Sequence, residues 1–250
     1  MQRKIAIAIA ALALSTATHL TTNAATIDSR LSSVGSNING SVQTDGSTST
    51  ASGSLSFPTS AISAASPAFS AAADQDTTLN NGSPLGFFVS STASTSLAVV
   101  NAPTDAPFVG QTVSQLRIDF TVGDGFVGNF VLAGSADFAS DLEPASNGVR
   151  VFLTDAGGNV VTPIEDLSAA SGDGVPSPVT RSGSLAAGSY TVGYDIFLNS
   201  DGVIGTDGSG LAEASLSFTI TSTPIPSPTA VLGGGALLVA LPLRRQRAGH

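Results

Sequence analysis

No cysteine occurs anywhere in the 250 residues, and tryptophan is missing as well. Disulfides, thiolate zinc sites and cysteine nucleophiles are excluded together. Histidine occurs only at His19 and His250, and lysine only at Lys4. Residues 26–222 therefore hold no His, Cys, Lys or Trp. A Ser-His-Asp triad, a His-ligated zinc site and a lysine Schiff base cannot be built there. Cations are scarce too. All 18 carboxylates lie between Asp28 and Glu213, against Arg30, Arg117, Arg150 and Arg181, which leaves that span at −14. This sign opposes nucleic-acid binding and basic phosphate cradles. It suits solubility, with divalent-cation binding or a saline habitat as alternatives.

What is present is a chain that is 42% hydrophobic and only 11% charged, enough to bury a core although much of it is alanine. Its best segments alternate with period two, as a half-buried strand must. In SQLRIDFTV, Leu116, Ile118, Phe120 and Val122 share a face. After Gly123-Asp124-Gly125, FVGNFVLAGSADF places Phe126, Phe130, Leu132, Ala136 and Phe138 together. The pair reads as a β-hairpin with a short Gly-bearing loop. A second hairpin is expected from VRVFLTD (Val149, Val151, Leu153), the turn AGGN and the return VVTPI. Further strands are SYTVGYDIFLN (Tyr190, Val192, Tyr194, Ile196, Leu198) and LAEASLSFTI (Ala212, Ala214, Leu216, Phe218, Ile220). The Ser/Thr-rich first third reads as edge or surface strands joined at Thr44-Asp45-Gly46, or else as a flexible stalk. SAISAASPAFSAAAD allows a turn or two of helix around Pro67. Nothing repeats with a clear period, which argues against a propeller or solenoid.

The fold class expected for 26–222 is all-β: an antiparallel β-sandwich, jelly-roll or Ig/fibronectin-like. The spacing Leu185-x-Ala187-Gly188-x-Tyr190 resembles the tyrosine corner of fibronectin-like sandwiches. That resemblance gives Tyr190 a structural role, its hydroxyl bonding back to the upstream backbone.

Both ends read as addresses. Arg3 and Lys4 precede the apolar run Ile5–Leu14, and small residues follow, so residues 1–25 read as a signal peptide cut after Ala24 or Ala25. The implied partners are the export machinery and signal peptidase. Residues 223–229 form a Pro-rich linker, and Ala230–Leu243 is an apolar run shorter than the roughly 20 residues of a free-standing span. Arg244, Arg245 and Arg247 then read as a cytoplasmic stop. A short transmembrane helix is expected over 230–250, holding the domain outside the inner membrane.

A proline motif, a short Gly/Ala/Leu helix and an arginine cluster together resemble the PEP-CTERM sorting tail of bacterial envelope proteins. The family's Pro-Glu-Pro is matched by Pro226, Ser227 and Pro228, with Ser in place of Glu. The resemblance implies recognition by an exosortase-like transpeptidase, followed by release to the cell surface or an exopolysaccharide matrix. A plain membrane anchor is the other reading of the same residues.

The remaining chemistry is oxygen chemistry. Asn199, Asp201, Asp207 and Asp173 sit in Asp-Gly loops that could hold Ca²⁺. They lack EF-hand spacing, and Asp-Gly is ordinary turn chemistry. Asn39 and Asn81 match the N-glycosylation pattern, which a bacterial envelope protein would normally leave unused. Glu143, Glu165 and Glu213 are the only glutamates a carboxylate hydrolase could draw on beside the aspartates, and sugar platforms are few. The sequence therefore points to a non-enzymatic envelope or matrix protein without catalytic residues or an obligatory cofactor. The alternative is a glycan- or calcium-dependent module presenting Tyr194, Phe197 or the 199–207 aspartates.

Overall fold

A computed structural model describes residues 24–38, 41–49, 55–66, 69–100, 109–140, 147–169, 179–201 and 207–226. Residues 1–23 and 230–250, the residues Ser227 and Pro228 of the expected sorting motif, and Asp173 and Asn39 lie outside them. Among the described residues no helix is long and apolar enough to cross a membrane.

The described chain is built of strands: β1 (Ala25–Ile38), β2 (Ser41–Ser49), β3 (Leu55–Ser66), β4 (Phe69–Ser83), β5 (Gly86–Val99), β6 (Val109–Val122), β7 (Phe126–Ser140), β8 (Asn147–Asp155), β9 (Val160–Ala169), β10 (Val179–Leu185), β11 (Gly188–Asp201) and β12 (Gly208–Pro224). They form two antiparallel six-stranded sheets, ordered β2-β1-β6-β11-β8-β9 and β10-β7-β12-β5-β4-β3. The first will be called sheet A and the second sheet B. The two pack face to face as a sandwich, with β1 over β3 and β4, β6 over β4 and β5, and β8 over β7 and β12.

The alternation expected of each strand is the alternation seen. Leu116, Ile118, Phe120 and Val122 of β6 are buried, as are Phe126, Phe130, Leu132, Ala136 and Phe138 of β7. Val192, Tyr194, Ile196 and Leu198 of β11 and the five apolar residues from Ala212 to Ile220 of β12 complete the same layer. Four phenylalanines meet at one end of this layer. Phe218 lies 5.7 Å from Phe87, 5.5 Å from Phe120 and 6.2 Å from Phe130 between ring centroids, and Phe87 meets Phe120 edge-on at 5.2 Å.

Three local expectations are corrected. β6 and β7 are not a hairpin. Gly123–Gly125 carries the chain from one sheet to the other, and β6 pairs with β1 and β11 while β7 pairs with β10 and β12. The turn is tight, closed by the Phe126 N–H donating to the Gly123 carbonyl at 3.2 Å, with Gly125 at φ +81°. Tight turns are compatible with both outcomes. Two strands apolar on facing sides gain more by covering one another than by lying side by side. Second, Thr44-Asp45-Gly46 is no turn. It runs through the middle of β2, whose nine residues pair without a break with β1. Third, the segment around Pro67 is not helical. β3 and β4 flank it as antiparallel neighbours, and the alternation Ala71, Ala73, Gln75, Thr77, Leu79 is a strand's. The β8–β9 hairpin is as expected, turning at Asp155–Asn159 with Gly158 at φ +76°.

One register break matters for the core. Between Ile27 and Ser29 the β1–β6 pairing shifts by a residue, so Ala25 and Ile27 point inward before it and Arg30, Ser32, Val34 and Ser36 after it. A bulge of this kind moves every later side chain to the opposite face. Arg30 is thereby carried into the interior, only 2% exposed, and desolvation lowers its pKa.

Candidate functional site

Sheet B presents a polar face to solvent. Outward residues of β4, β5, β12 and β7 lie in transverse rows fixed by the register. One row reads Asp74, Ser94, Glu213, Asp137, and the next reads Asp76, Thr92, Ser215, Ser135. Between them the sheet forms a shallow depression of about 270 Å³, lined by Asp74, Asp76, Thr92, Ser94, Ser135, Glu213 and Ser215 with Ala93 and Ala214. Ser135 and Ser215 hydroxyls lie 2.6 Å apart, and the Ser135 N–H donates to Ser215 Oγ at 3.1 Å. Glu213 and Asp137 are direct cross-strand partners, a like-charge pairing that disfavours the sheet. Hydroxyls and carboxylates in rows can accept and donate to a hydroxyl-rich ligand such as a glycan. No aromatic ring lines the depression. Among the described residues no group of three or more His, Cys, Asp or Glu is arranged to hold a metal ion.

The outer face of sheet A is more fully paired. Asp119 accepts hydrogen bonds from Ser29 and, at 2.7 Å, from Thr191, while Thr121 donates to Asp28 at 2.7 Å. Arg117 bridges to Asp195 at 3.3 Å. Arg117 and Arg150 both approach the ring of Phe152, at 6.0 Å and 5.2 Å from its centroid. Because β11 lies between β6 and β8, the Arg117–Phe152 contact passes over Gly193, which pairs with both residues.

The residues expected to mark a site fall as follows. Tyr190 donates its hydroxyl to the Ala186 carbonyl at 3.0 Å, four residues upstream, and stacks on Phe120 at 5.7 Å. Tyr194, expected on a binding face, is instead fully buried between the sheets, because its parity on β11 is that of Val192 and Ile196. Phe197, of opposite parity, is 39% exposed. Asp207 is exposed, and Asp155 is consumed by its own turn. Its Oδ1 accepts from the Gly157 N–H at 2.8 Å and the Asn159 N–H at 2.9 Å, and Asn159 Nδ2 bonds both carboxylate oxygens. The bonds from Asn159 and Gly157 lower the Asp155 pKa. Ala24 and Ala25 are both buried, and Pro226 is exposed where the described chain ends.

Sequence reasoning missed the polar interior. Toward the β2/β3 side, the space between the sheets holds several hydroxyls, one amide and Arg30, with Val34 and Ala73 among them. Gln75 Nε2 donates to Ser32 Oγ at 2.8 Å and Thr77 Oγ1 at 3.1 Å, and Ser114 Oγ donates to Gln75 Oε1 at 3.2 Å. Ser91 donates its one proton to the Asp76 carbonyl at 3.1 Å. Thr77 at 2.7 Å and Tyr194 at 2.9 Å must therefore be donors to Ser91. The network joins β1, β6 and β11 of one sheet to β4 and β5 of the other. The signal was available in the alternation Ala73-x-Gln75-x-Thr77-x-Leu79, where polar residues occupy core parity.

Two results are expected of this network. Gln75→Leu keeps the volume but strands the Ser114 and Ser32 hydroxyls, and should destabilise the protein by about 1–3 kcal/mol; urea unfolding measures it. Burial also raises the Tyr194 pKa well above the ordinary tyrosine value, partly offset by its hydroxyl partners. The unfolded chain therefore ionises first as pH rises. The contribution is intact below about pH 10 and is lost above it. With two tyrosines in the chain, absorbance at 295 nm should show one phenolate appearing together with loss of the far-UV strand signal; two phenolates in a still-folded protein would contradict the burial.

No family model matches the chain. No curated protein matches it either. The crystal structure of the infectious bursal disease virus VP2 subviral particle aligns over 91% of this chain and 90% of that one, at 10% identity and a TM-score of 0.15. At that score the likeness carries no argument about fold or function.

Proposed function

We propose that this chain is a non-enzymatic, exported protein of the bacterial cell envelope or extracellular matrix, delivered by a signal peptide and sorted through a PEP-CTERM-like tail. The observation that carries the reading is where β12 stops. β12 ends at Pro224, and the Ile225 N–H is tied to the Gly125 carbonyl at 2.7 Å. The exposed Pro226 then opens the Pro226-Ser227-Pro228 motif. Among the described residues, the sorting layout thus begins one residue after the backbone bond of Ile225, where an exosortase-like transpeptidase would have access while the apolar run and arginines hold the inner membrane. The body it would deliver has hydroxyl- and carboxylate-bearing faces over a core that is apolar at one side and hydrogen-bonded at the other, in keeping with a structural or exopolysaccharide-associated role.

The edges favour assembly into a matrix. β3 carries Pro58 at a register break, β9 carries Pro163 between two breaks, and β10 is seven residues long. β2 runs nine residues without proline or break. Proline, bulges, shortness and charge are the usual protections of an edge, and of these β2 has only the charge of Asp45.

Mass spectrometry of the protein recovered from membrane, surface and medium fractions of the producing cells tests the reading. Loss of everything past about residue 226 in the surface or medium fraction is the expected result. An intact C-terminus confined to the membrane would mean an anchor, and an intact chain in the cytoplasm would end the proposal.

A glycan-binding module is the second reading, favoured by the depression around Asp74, Asp76 and Glu213. Calorimetry against exopolysaccharide fragments separates the two: heat that disappears in Asp76→Ala and Glu213→Ala would favour it.

A further inference from the structure

From the way Ala24 is held, we infer that the mature protein keeps Ala24 and that signal peptidase cuts upstream of it. The inference rests on the export reading. Ala24 is not a frayed terminus. It is 1% exposed, and its backbone makes bonds to three separate parts of the body. Its N–H donates to the Pro84 carbonyl at 3.4 Å, in the turn between β4 and β5. Its carbonyl accepts from the Gly123 N–H at 3.1 Å, in the crossing from β6 to β7, and from the Ser222 hydroxyl at 3.0 Å, near the end of β12. Ser222 is itself 1% exposed. One residue thus ties together the β4–β5 turn, the β6–β7 crossing and the end of β12.

Hydrolysis of the Ala24–Ala25 bond adds water across it, leaving a carboxylate on the departing Ala24 and an α-ammonium on Ala25. The carbonyl that Gly123 and Ser222 need would leave with the signal peptide. The buried Ser222 hydroxyl and the half-buried Gly123 N–H would lose their acceptor, and a new positive charge would sit on Ala25, which is 5% exposed. Cutting after Ala25 would also remove the first rung of the β1–β6 ladder, Ala25 opposite Val122. A cut earlier in the chain costs none of this. The sequence offers one directly after the apolar run: Ser15-Thr16-Ala17 has small residues at the two positions the peptidase reads. Water added across the Ala17–Thr18 bond would leave the ammonium on Thr18, six residues ahead of Ala24.

The test is the N-terminus of the full protein recovered from outside the cytoplasm, read by intact mass and terminal peptide mapping. The expected first residue is Thr18, and any first residue between Gln2 and Ala24 supports the inference. A chain beginning at Ala25 or later overturns it while leaving export standing. A chain still beginning at Met1 and found only in the cytoplasm overturns the export reading, and this inference with it, so the two failures are told apart by the same spectrum.

Discussion

Phe218→Ala is expected to lower the unfolding free energy by about 3–5 kcal/mol, the usual cost of emptying a buried aromatic site. Phe218 is fully buried on β12, in the middle of sheet B. Its ring touches Phe87 and Phe130 from its own sheet and Phe120 from the opposite one. Truncation removes the transfer free energy of the ring and three aromatic contacts at once. Each contact contributes about 0.5–1.5 kcal/mol beyond its area. The cavity cannot collapse easily, because its walls belong to strands paired on both sides. Urea unfolding should show a lower midpoint with an unchanged slope. Phe197→Ala is the control. Phe197 lies on the outer face, 39% exposed, and its loss should stay within about 0.5 kcal/mol. Equal effects for the two variants would mean that β11 and β12 do not present the faces described.

Gly193→Ala is expected to be at least as damaging, for a different reason. A Cβ at this position would lie 1.9 Å from the Leu116 carbonyl oxygen, 2.9 Å from its carbon and 3.2 Å from Arg117 Cα. All three are backbone atoms of β6, so no rotamer change relieves the overlap. β6 and β11 are interior strands of sheet A, and either one can move only by breaking pairing on its far side. The cost should be at least about 3 kcal/mol, the upper end for overpacked sites, and large enough to prevent accumulation of folded protein. Gly125→Ala provides the contrast. Nothing lies within 4 Å of a Cβ there, but φ is +81°. The penalty is then one of backbone conformation, about 1 kcal/mol. Gly193→Ala with a parental midpoint would show that the β6–β11 approach is looser than described.

Alternation was the most legible property. A strand's side chains point to opposite faces in turn whatever lies beside it. Sequence parity alone therefore sorted Leu116, Phe120, Leu132, Val151, Ile196 and Phe218 into the interior. The same rule was underused where residues were polar. Gln75, Thr77 and Ser91 hold core parity as strictly as Leu79 and Val89 do, but strands were sought where apolar residues alternate, and these are polar. Parity also failed once through no fault of pattern. The slip between Ile27 and Ser29 puts Arg30 inside, and a one-residue bulge leaves no mark in the alternation before it occurs.

The sequence by itself determined which faces are apolar, where reactive side chains are missing and that both ends differ from the body. Only the tertiary structure decided which strands lie side by side, that Gly123–Gly125 crosses between sheets, and that Ala24 belongs to the body. The physical reason is that every strand offers nearly the same backbone donors and acceptors to any neighbour. Partner choice is then settled by what the faces cover once all the strands are present, and that sum is not contained in any one segment.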